Sequence, residues 1–248
     1  MTSIVFAAGG YRFVPGVFQY SAGVAAQPGF RIEHVRFQEP VPLADGFRRI
    51  EEIIRTAGRP LTSFCACELR SPEPFSEEGF RAFNEIYVGT LSRWGMLAGE
   101  YNPVARSNVC PEIDAPPAPS FHAFAFTVED AEAPPSFCIA GSGEAPEGKG
   151  NYRDHIVRLD DTSPEGLKEK AVFVLGEMER RMGLLGFEWS DTTATQVYSV
   201  FDIFPFLAEE IVARGAAKAG IIWHLDRPPV QGLDYEMDCR GVHHERVV

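Results

Sequence analysis

No window of the 248 residues approaches the roughly 18 consecutive apolar residues that a membrane-spanning helix needs. The opening Met1-Thr2-Ser3-Ile4 lacks the basic stretch and long apolar run of an export signal, so a cytoplasmic location is expected. The five cysteines, Cys65, Cys67, Cys110, Cys138 and Cys239, are odd in number and carry no CxxC spacing. Neither a disulfide framework nor a zinc knuckle is indicated, and reduced structural thiols are expected. Basic residues are also in deficit: 23 Lys and Arg against 35 Asp and Glu give a net charge of -12. The cations are scattered rather than clustered, which argues against nucleic acid or an anionic membrane as a partner, although net charge does not forbid one basic pocket. GxSxG, GxxxxGK[ST] and HExxH strings are missing, and Gly141-Ser142-Gly143 is followed by Glu144 rather than completing a dinucleotide fingerprint. No metal site and no organic cofactor are therefore expected.

What is present is a repeated order of elements. Periodicity in the first half predicts strands over 17 to 26 and 30 to 37, then a helix over 43 to 58 whose apolar face includes Phe47, Ile50, Ile53 and Ile54, with Gly58 as its cap. A strand at 63 to 69, a helix at 76 to 94 and strands at 106 to 113 and 120 to 128 follow. The second half predicts strands at 136 to 143 and 153 to 159, a helix at 164 to 185 ending at Gly186, a strand at 192 to 201, a helix at 204 to 214, and strands at 219 to 226 and 233 to 241. Each half reads ββαβαββ. Ile113-Asp114-Ala115-Pro116-Pro117 recurs as Leu225-Asp226-Arg227-Pro228-Pro229, each before a last strand, and Phe18 to Gly23 faces Phe137 to Ser142.

The expected fold class is α/β (α+β) with two tandem units, residues 1–128 and a divergent 136–248, joined by the polar, proline-bearing segment from Glu129 to Pro135. The bland alternative is a single α/β domain with two similar proline hairpins. Order, spacing and motif agree together against it.

The segment from the first helix through Phe126 carries a more specific pattern: Ala57-Gly58 closing the helix, the strand at 63 to 69, Phe83-Asn84-Glu85-Ile86-Tyr87 in the second helix, then Ala105-Arg106-Ser107 opening the penultimate strand. In that arrangement the chain resembles the RidA (YjgF) reactive-intermediate deaminases, which share the chorismate-mutase-like fold. The resemblance covers nearly all of the first unit and, more weakly, the second. It implies barrel-like units associated in threes, ligand clefts between neighbours, and an arginine at position 106 that holds a substrate carboxylate, with Ser107 and Asn108 beside it. A planar guanidinium forks two hydrogen bonds onto a carboxylate and stays charged at every relevant pH. For an isolated arginine a surface salt bridge would be the better reading, and the motif reverses that preference.

The family also places a glutamate on the last strand to position or activate water. The first unit reads Ser120-Phe121-His122-Ala123 there, offering His122 instead, a group that titrates near neutrality when unperturbed. The second reads Tyr235-Glu236-Met237-Asp238-Cys239 and restores a glutamate at Glu236, while its arginine position holds Lys218. Arg106 and Glu236 thus read as survivors of two ancestral sites that one cleft between units could combine; alternatively, Glu236 faces solvent on an alternating strand. The resemblance implies hydrolytic deamination of a small enamine or imine carboxylic acid, with 2-aminomuconate or a chlorinated analogue as the narrower expectation. Arg106 would hold the acid, and Glu236 or His122 would act as acid and base. A chorismatase-like hydrolase and a non-catalytic metabolite-binding protein are the rival readings. A ring of three units and a chain with two predict a homotrimer. Adjacent His243 and His244 near the tail read as solvent-exposed, and alternating Cys65 and Cys67 as packing residues.

Overall fold

The computed structural model describes residues 2–248; Met1, the first residue of the expected first unit, lies outside them. Alternating apolar residues build strands β1 (Ile4–Phe6), β2 (Tyr11–Val14), β3 (Gly23–Ala26) and the long β4 (Phe30–Pro42). Helix α1 (Leu43–Thr56) buries Phe47, Ile50 and Ile54 at helical spacing, and Gly58 takes a positive φ just past its end. Strand β5 (Phe64–Arg70) is buried throughout. Helix α2 (Glu77–Arg93) begins where the Ser76 hydroxyl accepts from Gly79 N, and it precedes β6 (Ala105–Pro111) and β7 (Ser120–Glu129).

The second half runs β8 (Phe137–Gly143), the 22-residue α3 (Pro164–Leu185), β9 (Ala194–Tyr198), a short α4 (Phe204–Phe206) continued by a π-helical turn over Leu207–Val212, β10 (Ile222–His224), β11 (Asp226–Arg227), β12 (Glu236–Gly241) and β13 (His244–Val247). Ser163 caps α3, Pro164 occupies its first turn, and Gly186 ends it in the left-handed conformation.

Two mixed sheets result, ordered β1-β2-β3-β8-β12-β9-β10 and β11-β6-β5-β7-β4-β13. Within them one arrangement occurs twice. β4-β7-β5-β6 and β8-β12-β9-β10 share the same order, with two antiparallel pairs followed by one parallel pair. One apolar cluster gathers α1 and α2 residues on the sheet of β4, β5 and β7, another gathers α3 on the sheet of β8, β9 and β12, and a third, with Phe13, Val24, Ile32, Cys65 and Cys138, lies between the sheets. All five cysteines are free and buried.

In the first half β3-β4-α1-β5-α2-β6-β7 follows the expected ββαβαββ order, with β1 and β2 added before it, but the pairing needs correction in both halves. β3 does not pair with β4; it crosses to β8, so β1-β2-β3 extends the sheet of the second half, while β11 and β13 join the sheet of the first. No strand forms at 153 to 159, where Arg153–His155 makes a 3-10 turn. Local polar groups satisfy the backbone there: Glu77 Oε1 accepts from Tyr152 N and Arg153 N, Asn151 Oδ1 accepts from Asp154 N, and Arg158 and Asp160 adopt positive φ. The helix expected at 204 to 214 is a single turn opened into a π turn. No helix among the described residues is long and apolar enough to cross a membrane.

Candidate active site

Arg106 enters from β6 and is 2% exposed. Helix α2 prepares its position, because Phe80, Phe83, Asn84 and Tyr87 fall on the helix face turned inward. Asn84 Oδ1 accepts from Arg106 Nη1 at 2.7 Å, and the guanidinium carbon stands 4.9 to 5.7 Å from the ring centroids of Tyr87, Tyr20, Phe80 and Phe83. Such a cage holds the cation through ring quadrupoles without neutralising it. Three buried donors around it, Arg106 Nε, Asn84 Nδ2 and Asn108 Nδ2, have no hydrogen-bond partner among the described residues. Buried donors without acceptors are costly unless an incoming acceptor satisfies them, and an anionic oxygen fits that need.

Glu236 comes from β12 of the other half and opens into the same cavity of about 30 Å³, together with Asn108, Gly141, Tyr152 and Val230. Its Oε1 lies against Gly141 on β8, in the space a Cβ would need. Burial drives the Glu236 carboxyl well above the usual carboxylate range, Asp238 and Glu144 add to the shift, and Arg181 and Arg106 oppose it. These surroundings favour the protonated form of Glu236, the form that can donate a proton. A larger cleft of about 680 Å³ adjoins this cavity, sharing Phe80 and Tyr152 as walls and containing Asn84, Lys149 and Gln19.

Helix α3 braces the site from behind with two buried cations on one face. Arg181 Nη1 donates to the carbonyls of Ala140 (2.9 Å) and Gly141 (3.2 Å), and its Nη2 to Glu147 Oε1 at 3.0 Å. Lys170 Nζ meets Asp234 Oδ2 at 2.6 Å and Glu144 Oε1 at 3.3 Å. Glu144 in turn accepts from the backbone N–H groups of Asp234 and Tyr235, fixing the entry into β12 immediately before Glu236.

Of the site residues expected from sequence, Arg106, Asn108 and Glu236 share this cavity. Ser107 does not line it. The residue points to a second small cavity between the sheets, with His34, Glu68, Asp238 and Arg240. Arg106 borders both cavities, whereas Ser107 turns its side chain toward Asp238. His122 also lies elsewhere. The pairing of β7 with β5 shifts register between Phe121 and Ala123, leaving His122 as the bulged residue, among Arg70, Glu68, His224 and Arg36. Burial, then Arg70, depresses it to about 3, so it does not titrate near neutrality. Lys218 is a surface residue whose Nζ donates to Ser190 O. His243 and His244 are exposed.

Residues missed in the sequence are Asn84, Gly141, Glu144, Lys170 and Arg181. Asn84 stood inside a motif whose chemistry was not read. Gly141 stands in a Gly-Ser-Gly run whose spacing bears only on a dinucleotide fingerprint. The buried cations of α3 left no local signal, because a Lys or Arg on a helix reads as solvated.

Two solved structures of cyanuric acid hydrolase are similar at low level: one from A. caulinodans at 14% identity over 87% of this chain and 67% of that one, TM-score 0.39, and another at 9% over 88% and 69%, TM-score 0.43. Over its full length the chain is far closer to the 2-amino-5-chloromuconate deaminase of Comamonas testosteroni, 53% identical over 248 residues and 99% of each chain. The family model of 2-aminomuconate deaminase CnbZ matches residues 3–246. Both agree with the expectation of a deaminase acting on a small enamine acid, and with them the chain belongs to the 2-aminomuconate deaminase family.

Proposed function

We propose that this protein hydrolyses 2-aminomuconate or its 5-chloro analogue to the corresponding oxo acid and ammonia. The observation that carries the reading is the shared cavity, in which an arginine with an unsatisfied donor meets a buried carboxyl. Arg106 and Asn108 take the carboxylate next to the amino-bearing carbon. The rest of the conjugated chain runs past Phe80 and Tyr152 into the outer cleft, where Lys149 offers positive charge to the distal carboxylate.

Glu236 donates its proton to an enamine carbon, and the carbon bearing nitrogen becomes an electrophilic iminium. Water adds there, losing a proton to the Glu236 carboxylate. The carbinolamine then takes that proton on nitrogen, breaks its C–N bond and returns its hydroxyl proton to the Glu236 carboxylate, leaving a carbonyl. One water is consumed and one ammonia released, with no change of oxidation level. The site arises from both halves, which fits descent from one duplicated unit, with residues 1–128 and 136–248 as the two copies and the RidA-like arrangement as their ancestor. A cytoplasmic homotrimer is the assembly this reading favours; light scattering should give three times the 27.4 kDa chain mass, and a monomer would refute it.

The test follows ammonia release and loss of diene absorbance from freshly generated 2-aminomuconate. Wild type should release one ammonia per substrate, and Glu236→Gln should turn over roughly 10²-fold or more slowly while still binding. Wild type that binds the acid without releasing ammonia would overturn the proposal.

A further inference from the structure

Glu236 and Asp238 stand two residues apart on β12, a spacing that sets both on one side of the strand. Their surroundings differ. Asp238 Oδ1 accepts from Gln196 Nε2 and Oδ2 from the Tyr198 hydroxyl, each at 2.9 Å, and both partners come from β9. The Ser107 hydroxyl on β6 addresses the same carboxylate. Glu236 instead meets the Cα of Gly141 and the cavity, and the groups acting on it are charges rather than hydrogen-bond donors. Two buried carboxyls this close do not both ionise readily, and hydrogen bonds to an anion decide which one does.

We propose that Asp238 is a positioning residue for the deamination: clamped by Gln196, Tyr198 and Ser107, it keeps the negative charge of the pair and so leaves the proton on Glu236, at the face the substrate reaches. The inference rests on Glu236 being the acid of the proposed reaction. It gives Ser107 a purpose other than binding substrate, because Ser107 lines the cavity on the Asp238 side while its Cβ packs beside Gly141 and Glu236.

The charged and titratable groups facing the pair have been set by several elements. Arg106 and Cys110 on β6, Arg181 on α3, Glu144 after β8, and Glu147 and Tyr152 in the following loop surround Glu236. His34 on β4, Glu68 and Arg70 on β5, Tyr198 on β9, Cys138 on β8, and Cys239 and Arg240 on β12 surround Asp238. Burial and Glu68 push Asp238 upward, while Ser107, Gln196 and Arg240 pull it back. Only this carboxyl of the two has donors placed on both oxygens.

The sign follows from which form works. Glu236 is active when protonated, so activity falls as pH rises through its pKa, and removing a nearby negative charge lowers that pKa. Asp238→Asn in the full chain should move the alkaline limb of kcat to lower pH by about one unit, with KM changed less than kcat at pH 8. Tyr198→Phe strips one donor from Asp238 with little change of shape, and should move the limb the same way by a smaller amount. Should Asp238→Asn fail to fold, Tyr198→Phe decides. An unmoved limb in the folded variants, with Glu236→Gln inactive, overturns the role of Asp238 and leaves the acid in place. Full turnover by Glu236→Gln overturns the acid itself.

Discussion

Glu236 Oε1 rests in the space where a side chain at Gly141 would begin, so the acid of one strand and the missing Cβ of its neighbour are a single fitted contact. Gly141 is not among the glycines at positive φ, and its backbone therefore accepts alanine. The added methyl would also come within 2.9 Å of Ser107 Cβ. Gly141→Ala should lower kcat by roughly tenfold or more while unfolding shifts by only about 1–3 kcal/mol. Gly143→Ala is the control, since its Cβ meets only the end of the Leu233 side chain. Equal kcat losses in both variants would argue against the special fit at Gly141.

Arg106 is held by one Nη1 bond to Asn84 with its Nε unengaged, an arrangement that orients the fork without occupying it. Arg106→Lys keeps charge and loses the plane. Carboxylate recognition should weaken by about 1–3 kcal/mol, seen as a KM raised roughly 5- to 150-fold. An unchanged KM would remove Arg106 from substrate binding.

The Lys170–Glu144–Asp234 cluster has no exposed side-chain surface at Lys170 or Glu144. Lys170→Met leaves the Glu144 carboxyl, which burial already pushes up to about 7, with two amide donors and no cation, and should cost about 3 kcal/mol in denaturant unfolding at pH 9, where Glu144 is ionised in the wild type. Adding Glu144→Gln should recover part of it. No loss on Lys170→Met would show that the cluster is not load-sharing in the way the distances imply.

His122 is depressed to about 3 and His224 to about 4, in both cases first by burial. The unfolded chain takes up these protons near pH 6.5 and the folded chain does not, so the stability involved is complete above pH 6.5 and drains away as pH falls toward 3. His122→Gln should flatten that acid slope and leave turnover intact, because the residue is outside the cavity. Lost turnover in a folded His122→Gln would return His122 to the reaction.

Much of this was legible from the chain read against itself. The helices at 43, 76 and 164 announced themselves through apolar spacing, and the resemblance, read together with the alignment of Asp114 with Asp226, suggested that Glu236 and Arg106 could share one cleft. Strand exchange was not legible, because Gly23–Ala26 is buried on both faces and fits either neighbour equally well. The bulge at His122 was hidden for a related reason: counting residues along a strand assumes an unbroken pleat, and one extra residue re-aims the side chain. The role of Asn84 needed the third dimension, since nothing in Phe83-Asn84-Glu85-Ile86-Tyr87 says which atom the amide will meet.

The crossing of β3 to β8, and of β11 and β13 back to the sheet of the first half, makes the two halves mutually dependent products of synthesis. A nascent first half would present an unpaired strand edge until β8 is translated, a state prone to association with other chains. The same interlock suits a split protein. Fragments severed within residues 130 to 135 should each be inert, and recovery of ammonia release on co-expression would report directly on the two sheets having closed around each other.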